Sequence, residues 1–297
     1  MTTPLTRAAG NLRSIYAMLI AVAMFSLMDT AMKLLAATYP ALQVAALRAL
    51  VSLPLVFIYV GWRGAYRGAL AVRWPLHLLR GALGIAMLAL FAFGLKKLSL
   101  AEAYSIFFIA PALITALSVV FLKETVDAAR WIAIAVGMLG VLVVLRPDGA
   151  GMLTVGGLAV LGAAACYAVS AIAARIVSRS DRSEHMVLWL MLLMGAGGSI
   201  LAAPDWVALR MADAWLLTGL AISGFLGQLA ITEAFNSGEA SVVAPFEYSA
   251  LAWGVALDWL LWNALPDRYT LAGAAIIIAS GVYLVRKERV HAETEHP

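Results

Sequence analysis

Apolar residues fill this chain in ten stretches, most of them about twenty residues long: Ser14–Ala36, Ala41–Tyr59, Leu76–Leu95, Ala101–Leu122, Ala128–Leu145, Thr154–Ile176, Glu184–Ala203, Ala214–Ala234, Ala240–Leu261 and Leu271–Val285. A helix needs about 20 mostly apolar residues to cross the hydrocarbon core, within a range of about 17 to 25. The last stretch is short and extends outward to Tyr269 if it spans. The stretches are continuous, which predicts helices, since barrel strands would alternate over about ten residues. The pattern therefore predicts an all-α integral membrane protein of ten transmembrane helices, its short connections leaving little outside the lipid.

Composition removes the alternative of a soluble fold. The 297 residues are 63% hydrophobic and 13% charged, where soluble domains run at about half and a quarter. Positive charge sets orientation. With a cytoplasmic N-terminus, the inner side receives Arg7, Arg13, Arg63, Arg67, Arg73, Arg80, Lys123, Arg130, Arg175, Arg179, Arg182, Arg286, Lys287 and Arg289, fourteen in all. The outer side receives five: Lys96, Lys97, Arg146, Arg210 and Arg268. Both termini are thus expected in the cytoplasm, in a bacterial-type cytoplasmic (inner) membrane. The pI near 9.3 reflects this asymmetry and implies no nucleic-acid partner. The first stretch carries Asp29 and Lys33 and outruns the apolar core of a signal peptide, so it is read as the first span. The one cysteine, Cys166, excludes an internal disulfide or a cysteine-based metal site.

The two halves resemble each other. Ala101–Arg146 runs as span, Glu124-Thr-Val-Asp127, span, ending in Gly140-Val-Leu-Val-Val-Leu-Arg146. Ala240–Arg286 runs as span, Ala264-Leu-Pro-Asp267, span, ending in Gly281-Val-Tyr-Leu-Val-Arg286, about 140 residues on. Five spans per repeat is an odd number, so the second copy is inverted, a construction shared by many secondary transporters. Residues 14–147 form the first repeat, 152–287 the second, and 288–297 a cytoplasmic tail.

The run Ala240-Ser-Val-Val-Ala-Pro-Phe-Glu-Tyr248, with Trp253, Leu265-Pro-Asp267 and Gly273, resembles the closing half of drug/metabolite transporter superfamily proteins of the EamA type. Ala101-Glu-Ala-Tyr104 and Phe121-Leu-Lys-Glu124 resemble the corresponding part of the opening half. The resemblance covers nearly the whole chain and implies ten spans, a transported small-molecule solute and no cofactor. It also implies a Glu three residues before the Asp of both inter-helix turns; Glu124 supplies the first, and Ala264 stands at the second.

Ionisable residues inside spans are functional candidates by default, because each costs a few kcal/mol to insert. Asp29 and Lys33 sit one turn apart, either as an internal ion pair or on the wall of a substrate path. Arg48 cannot shed its charge and must face a carboxylate, carbonyls or water; Asp29 and a substrate carboxylate are both candidates. Glu247 is the leading site residue, on one helical line with Gly254 and Asp258; its alternative role is to hold the bundle together, with Arg48 as a candidate partner. Tyr104, Phe108, Pro111, Thr115 and Ser118 share a face of the fourth span, with Pro111 freeing a carbonyl. With Tyr248 and Trp253 they complete a candidate substrate-binding set of Glu247, Tyr248, Trp253, Arg48, Tyr104, Phe108, Thr115, Asp29 and Lys33. Aromatic stripes are also ordinary packing.

Enzyme chemistry finds no motif: His185 has no second metal-ligand histidine at the required spacing, and Gly195-Ala-Gly-Gly198 lacks the context of a phosphate loop. A membrane-embedded enzyme is the remote alternative. The sequence instead points to a secondary transporter working by alternating access, with a proton as a candidate coupling ion. Mixed buried charges suit an amino acid or related zwitterion, and amino-acid export is what the resemblance implies. Uptake of a vitamin or nucleoside-like metabolite and efflux of cationic drugs stay open. So do direction and oligomeric state.

Overall fold

The computed structural model describes residues 4–95, 97, 100–145, 154–263 and 267–294, and gives the backbone alone for 4–9, 41, 92, 95, 100–102, 105, 258, 262 and 288–294. Lys96, Arg146, the turn residues Ala264 to Pro266, and the side chains of Glu102, Asp258 and Trp262 lie outside the described residues.

Every regular element among the described residues is helical. In chain order these are α1 (Pro4–Leu35), α2 (Ala41–Leu50), α3 (Leu53–Trp62), α4 (Trp74–Leu95), α5 (Leu100–Phe107), α6 (Ala110–Leu117), α7 (Ala128–Leu145), α8 (Val155–Val177), α9 (Ser183–Ala202), α10 (Ala214–Ser237), α11 (Ala240–Val243), α12 (Ser249–Trp262) and α13 (Arg268–Thr294). Nine stretches among the described residues are long and apolar enough to cross a membrane, α2 with α3 and α11 with α12 each making one.

The predicted fourth span is broken. Pro111 has no N–H to give the Phe107 carbonyl, Ile109 N–H tightens onto Ile106 O at 3.2 Å, and α5 ends before α6 begins. A π turn, Ser118–Leu122, closes the segment at Lys123, which takes the left-handed conformation at φ 56°. The ninth span breaks likewise: a 3₁₀ turn, Ala244–Tyr248, with Pro245 in its first turn, separates α11 from α12. That turn alters the helical register, so the single line through Glu247, Gly254 and Asp258 expected from an unbroken helix is not kept. Helix α13 continues past Arg286 to Thr294.

Polar contacts show which helix ends lie together. At one end Arg13 pairs with Glu233 at 2.7 Å, Arg63 with Glu184 at 2.9 Å, His77 with Asp181 at 2.9 Å and Arg130 with Glu239 at 2.8 Å. Lys287 pairs there with Asp127. This end therefore gathers the starts of α1, α4, α7, α9 and α11 with the finishes of α3, α8, α10 and α13. The opposite end holds Tyr39, which donates to Asp213 at 2.6 Å, and Gln43, which donates to the Val207 carbonyl at 2.6 Å.

The largest core cluster joins both halves of the chain through Met18, Ile114, Ile172, Val243 and Phe246. Helix α1 packs along α10, α4 along α8, and α7 along α13. The α7–α13 crossing is closest at Gly140 and Gly273, where a Cβ on Gly273 would stand 2.6 Å from the Gly140 carbonyl. Without a hydrophobic drive between helices in lipid, such small-residue contacts carry the packing.

Candidate functional site

At the centre of the bundle lies a cavity of about 230 Å³. Each long helix around it presents one face, as i, i+3, i+4, i+7 spacing dictates. Helix α4 gives Arg80, Leu83, Gly84 and Met87; α8 gives Tyr167, Ser170, Ala171 and Ala174; α10 gives Gln228, Ile231, Thr232 and Phe235. Phe25, Met28 and Asp29 come from α1, Arg48 from α2, and Leu190 and Met194 from α9. The volume falls below the ~300–1,000 Å³ of drug-sized pockets. A small metabolite fits this conformation, and anything larger must widen it.

Of the residues singled out in the sequence, Asp29 and Arg48 line the cavity together. They attract each other electrostatically, yet neither forms a direct ion pair among the described residues. Arg48 lies just ahead of the α2–α3 break, where the Ser52 hydroxyl donates to the Arg48 carbonyl at 2.9 Å and Pro54 lacks an N–H. Lys33 is exposed and does not line the cavity.

Glu247 stands one layer behind the cavity. Tyr167 faces the cavity and its hydroxyl donates to Glu247 Oε1 at 2.9 Å. Tyr167 also feels the charge of Arg48, so Asp29, Arg48, Tyr167 and Glu247 form one electrostatic line from α1 through α2 and α8 to the 3₁₀ turn. The partner of Glu247 is thus a tyrosine and not Arg48.

Tyr104, Phe108 and Tyr248 form an aromatic path beside the cavity. Phe91 meets Tyr104 at 5.8 Å and Phe107 at 5.3 Å, Phe107 meets Tyr167 at 5.8 Å, and Phe108 meets Tyr248 at 6.0 Å. Tyr248 is buried against Val141 and Ile277. Thr115 is fully buried, and its hydroxyl has no partner among the described residues. Trp253 is 43% exposed on α12 and is not among the residues that line the cavity.

Several lining residues were not selected from the sequence, among them Gln228, Thr232, Tyr167 and Arg80. Gln228 and Thr232 are buried polar groups one turn apart, with Gln228 Nε2 donating to Thr232 Oγ1 at 3.3 Å; a polar i, i+4 pair inside an apolar helix is a legible signal. Tyr167 was legible only as packing. Arg80 was counted among the inner-side charges although it falls within the Leu76–Leu95 stretch, and its side chain borders the cavity. Among the described residues no group of three or more His, Cys, Asp or Glu could hold a metal ion.

This arrangement defines a polytopic helical membrane protein with a small, charged central chamber. The chain belongs to the EamA-like transporter family, whose model matches residues 12–146 and 154–286. It is similar to the pseudopaline exporter CntI of Pseudomonas aeruginosa strain UCBPP-PA14, 25% identical over 89% of this chain and 93% of that one. It is also similar to the riboflavin transporter of Vibrio cholerae, 28% identical over 84% of each chain. The S-adenosylmethionine uptake transporter of Rickettsia bellii is 28% identical over 72% of this chain and 73% of its own. A solved crystal structure superposes with a TM-score of 0.80 at 17% identity, over 95% of this chain and 99% of the other, so the fold is shared. The protein is a transporter of small metabolites and not an enzyme.

Proposed function

We propose that the protein moves an amino acid or related zwitterion across the cytoplasmic membrane by alternating access, in the export direction, with a proton as coupling ion. The observation that carries this reading is the cavity's pair of opposite charges, Asp29 and Arg48, which face one space without neutralising each other by contact. A zwitterion presents its ammonium to Asp29 and its anionic group to the cationic side of the same space. Glu247 and Tyr167 lie beside that space and form the proton-carrying element: protonating Glu247 removes the charge that Tyr167 now serves, and this shifts the ninth segment against α8. We further propose ten crossings, with the broken Leu100–Leu122 segment as the fourth, arranged as inverted repeats over 14–147 and 152–287 with both termini cytoplasmic. The alternation of helix ends described above supports this topology, and residues 288–297 then form the inner tail.

A second reading, uptake of a nucleoside-like or vitamin-like molecule, draws on the aromatic path of Phe91, Phe107 and Tyr167 and on the names of two relatives. Counterflow in proteoliposomes separates the two. Vesicles preloaded with neutral amino acids, S-adenosylmethionine or riboflavin are given the same compound labelled, with and without a pH gradient. Trans-stimulated uptake of neutral amino acids, faster with a gradient, is the expected result. Exchange of riboflavin or S-adenosylmethionine without exchange of neutral amino acids would move the assignment to the aromatic reading.

A further inference from the structure

Arg80 is a buried charge with no counter-ion among the described residues. It is 4% exposed, and its Nε and Nη1 atoms are buried with no hydrogen-bond partner. No carboxylate among the described residues pairs with it; Asp181 is held by Nε2 of the neighbouring His77, the Ser180 hydroxyl and the Arg73 N–H. The side chain lies six residues into α4 yet does not snorkel outward, as long basic side chains near helix ends ordinarily do. Instead it lies on the face with Leu83, Gly84 and Met87 that borders the cavity. Removing a guanidinium from water without a partner costs several kcal/mol, and a structural role would require an acceptor that no described residue supplies.

We infer that Arg80 is the anion anchor of the chamber, binding a substrate carboxylate through its free guanidinium N–H groups while Arg48 stays under the influence of Asp29. The inference rests on the transport cavity proposed above and makes its substrate class narrower: the cargo carries a carboxylate. A guanidinium presents two parallel donors that match the two oxygens of a carboxylate, and an amide or ester in the same place leaves the charge unpaired.

The test compares acid and amide forms of one compound on the full-length protein in lipid nanodiscs. Thermal unfolding is followed with L-methionine, L-methionine amide, S-adenosylmethionine and its decarboxylated form, against chloride of equal ionic strength. Wild type is expected to bind each acid about tenfold or more tighter than its partner without the carboxylate, the worth of a charged hydrogen bond. In Arg80→Gln that preference falls to about one while the weaker binding of the amide is retained, and Arg80→Lys keeps part of it. Unliganded Arg80→Met melts no lower than wild type, because a buried cation has been removed. Equal binding of acid and amide to wild type, an unchanged preference in Arg80→Gln, or no stabilisation by either acid would each overturn the assignment. Counterflow of the same compounds keeps the two readings apart. Acid preference without flux would sink transport and leave the anchor, whereas flux without acid preference would sink the anchor alone.

Discussion

The segments Leu100–Leu122 and Ala240–Trp262 begin with a short helix, break beside a proline, and resume in a second helix. Each proline frees one carbonyl from its helical bond, that of Phe107 for Pro111 and that of Ser241 for Pro245. The segments touch near their breaks, where the Phe108 and Tyr248 rings lie 6.0 Å apart. Their chemistry differs. The first carries aromatic rings and one buried hydroxyl without a partner, Thr115. The second carries Glu247, hydrogen-bonded to the cavity residue Tyr167. Proline irregularity is therefore shared scaffold, and the ionisable group is what makes one of the two segments chemically active.

The largest expected effect follows from removing that difference. Glu247→Gln keeps shape and one hydrogen bond to Tyr167 but cannot exchange a proton. Flux in proteoliposomes is expected to fall by about tenfold or more and to lose its response to a pH gradient. Thr115→Val, in the other segment, replaces a buried hydroxyl that has no acceptor by a methyl of similar size, so it leaves flux unchanged and does not lower the melting temperature. Equal loss in both variants would abolish the contrast.

Next in size is the seat of the second break. A Cβ on Gly137 of α7 would stand 2.4 Å from Tyr248 Cδ2, so Gly137→Ala must displace the ring that follows Glu247. Overpacking of this kind costs about 1–3 kcal/mol, read as a lower unfolding midpoint and a proportionate loss of flux. Gly254→Ala, on α12, meets nothing within 4 Å and serves as the control that should change neither. A silent Gly137→Ala would mean that the 3₁₀ turn is free to move without its packing partner.

The foot of the second segment is expected to be less sensitive. Glu124 accepts from the Ala240 and Ser241 N–H groups at 2.9 and 3.0 Å, closing the start of α11 from the opposite half of the chain. Glu124→Ala removes that cap, at a cost of about 1 kcal/mol. If this contact also holds the end shut, limited labelling of a cysteine introduced at Ser241 should speed up in the same variant.

Much of this was readable in the chain, for stated reasons. Lengths of apolar runs fix helices because lipid leaves the backbone no other partner, and nine of the ten stretches recur as long helical spans. The fourth broke because a single Pro111 outweighed its apolar context. Asp29 and Arg48 were legible as charges misplaced in apolar helices, and they meet at the cavity. Arg80 was not, since proximity to a helix start is the same signal whether a side chain turns outward or inward. Trp253 and Lys33 lie off the cavity because helical spacing gives a residue's direction only relative to its own helix. Which face meets the neighbours is decided by packing, such as the Gly140–Gly273 approach.

The smallest expected effect belongs to a polar cluster outside both broken segments, at the same end of the bundle. Asp181 follows α8 and accepts from the Arg73 N–H at 2.9 Å, the Ser180 hydroxyl at 2.7 Å and His77 Nε2 at 2.9 Å. Burial alone would raise its carboxyl, but these bonds favour the charged form more strongly and hold it below the ordinary carboxylate range. With the folded value depressed, its contribution to stability is complete above the unfolded value of about 4 and fades as pH falls through the folded one. The gap in melting temperature between wild type and Asp181→Asn should therefore stay constant from neutral pH to about 5 and close in more acidic buffer. Flux at neutral pH should change less than in Glu247→Gln, because Asp181 joins the start of α4 to the turn before α9 and touches neither proline break. A larger loss of flux from Asp181→Asn than from Glu247→Gln would shift the moving element from the ninth segment to this end of the bundle.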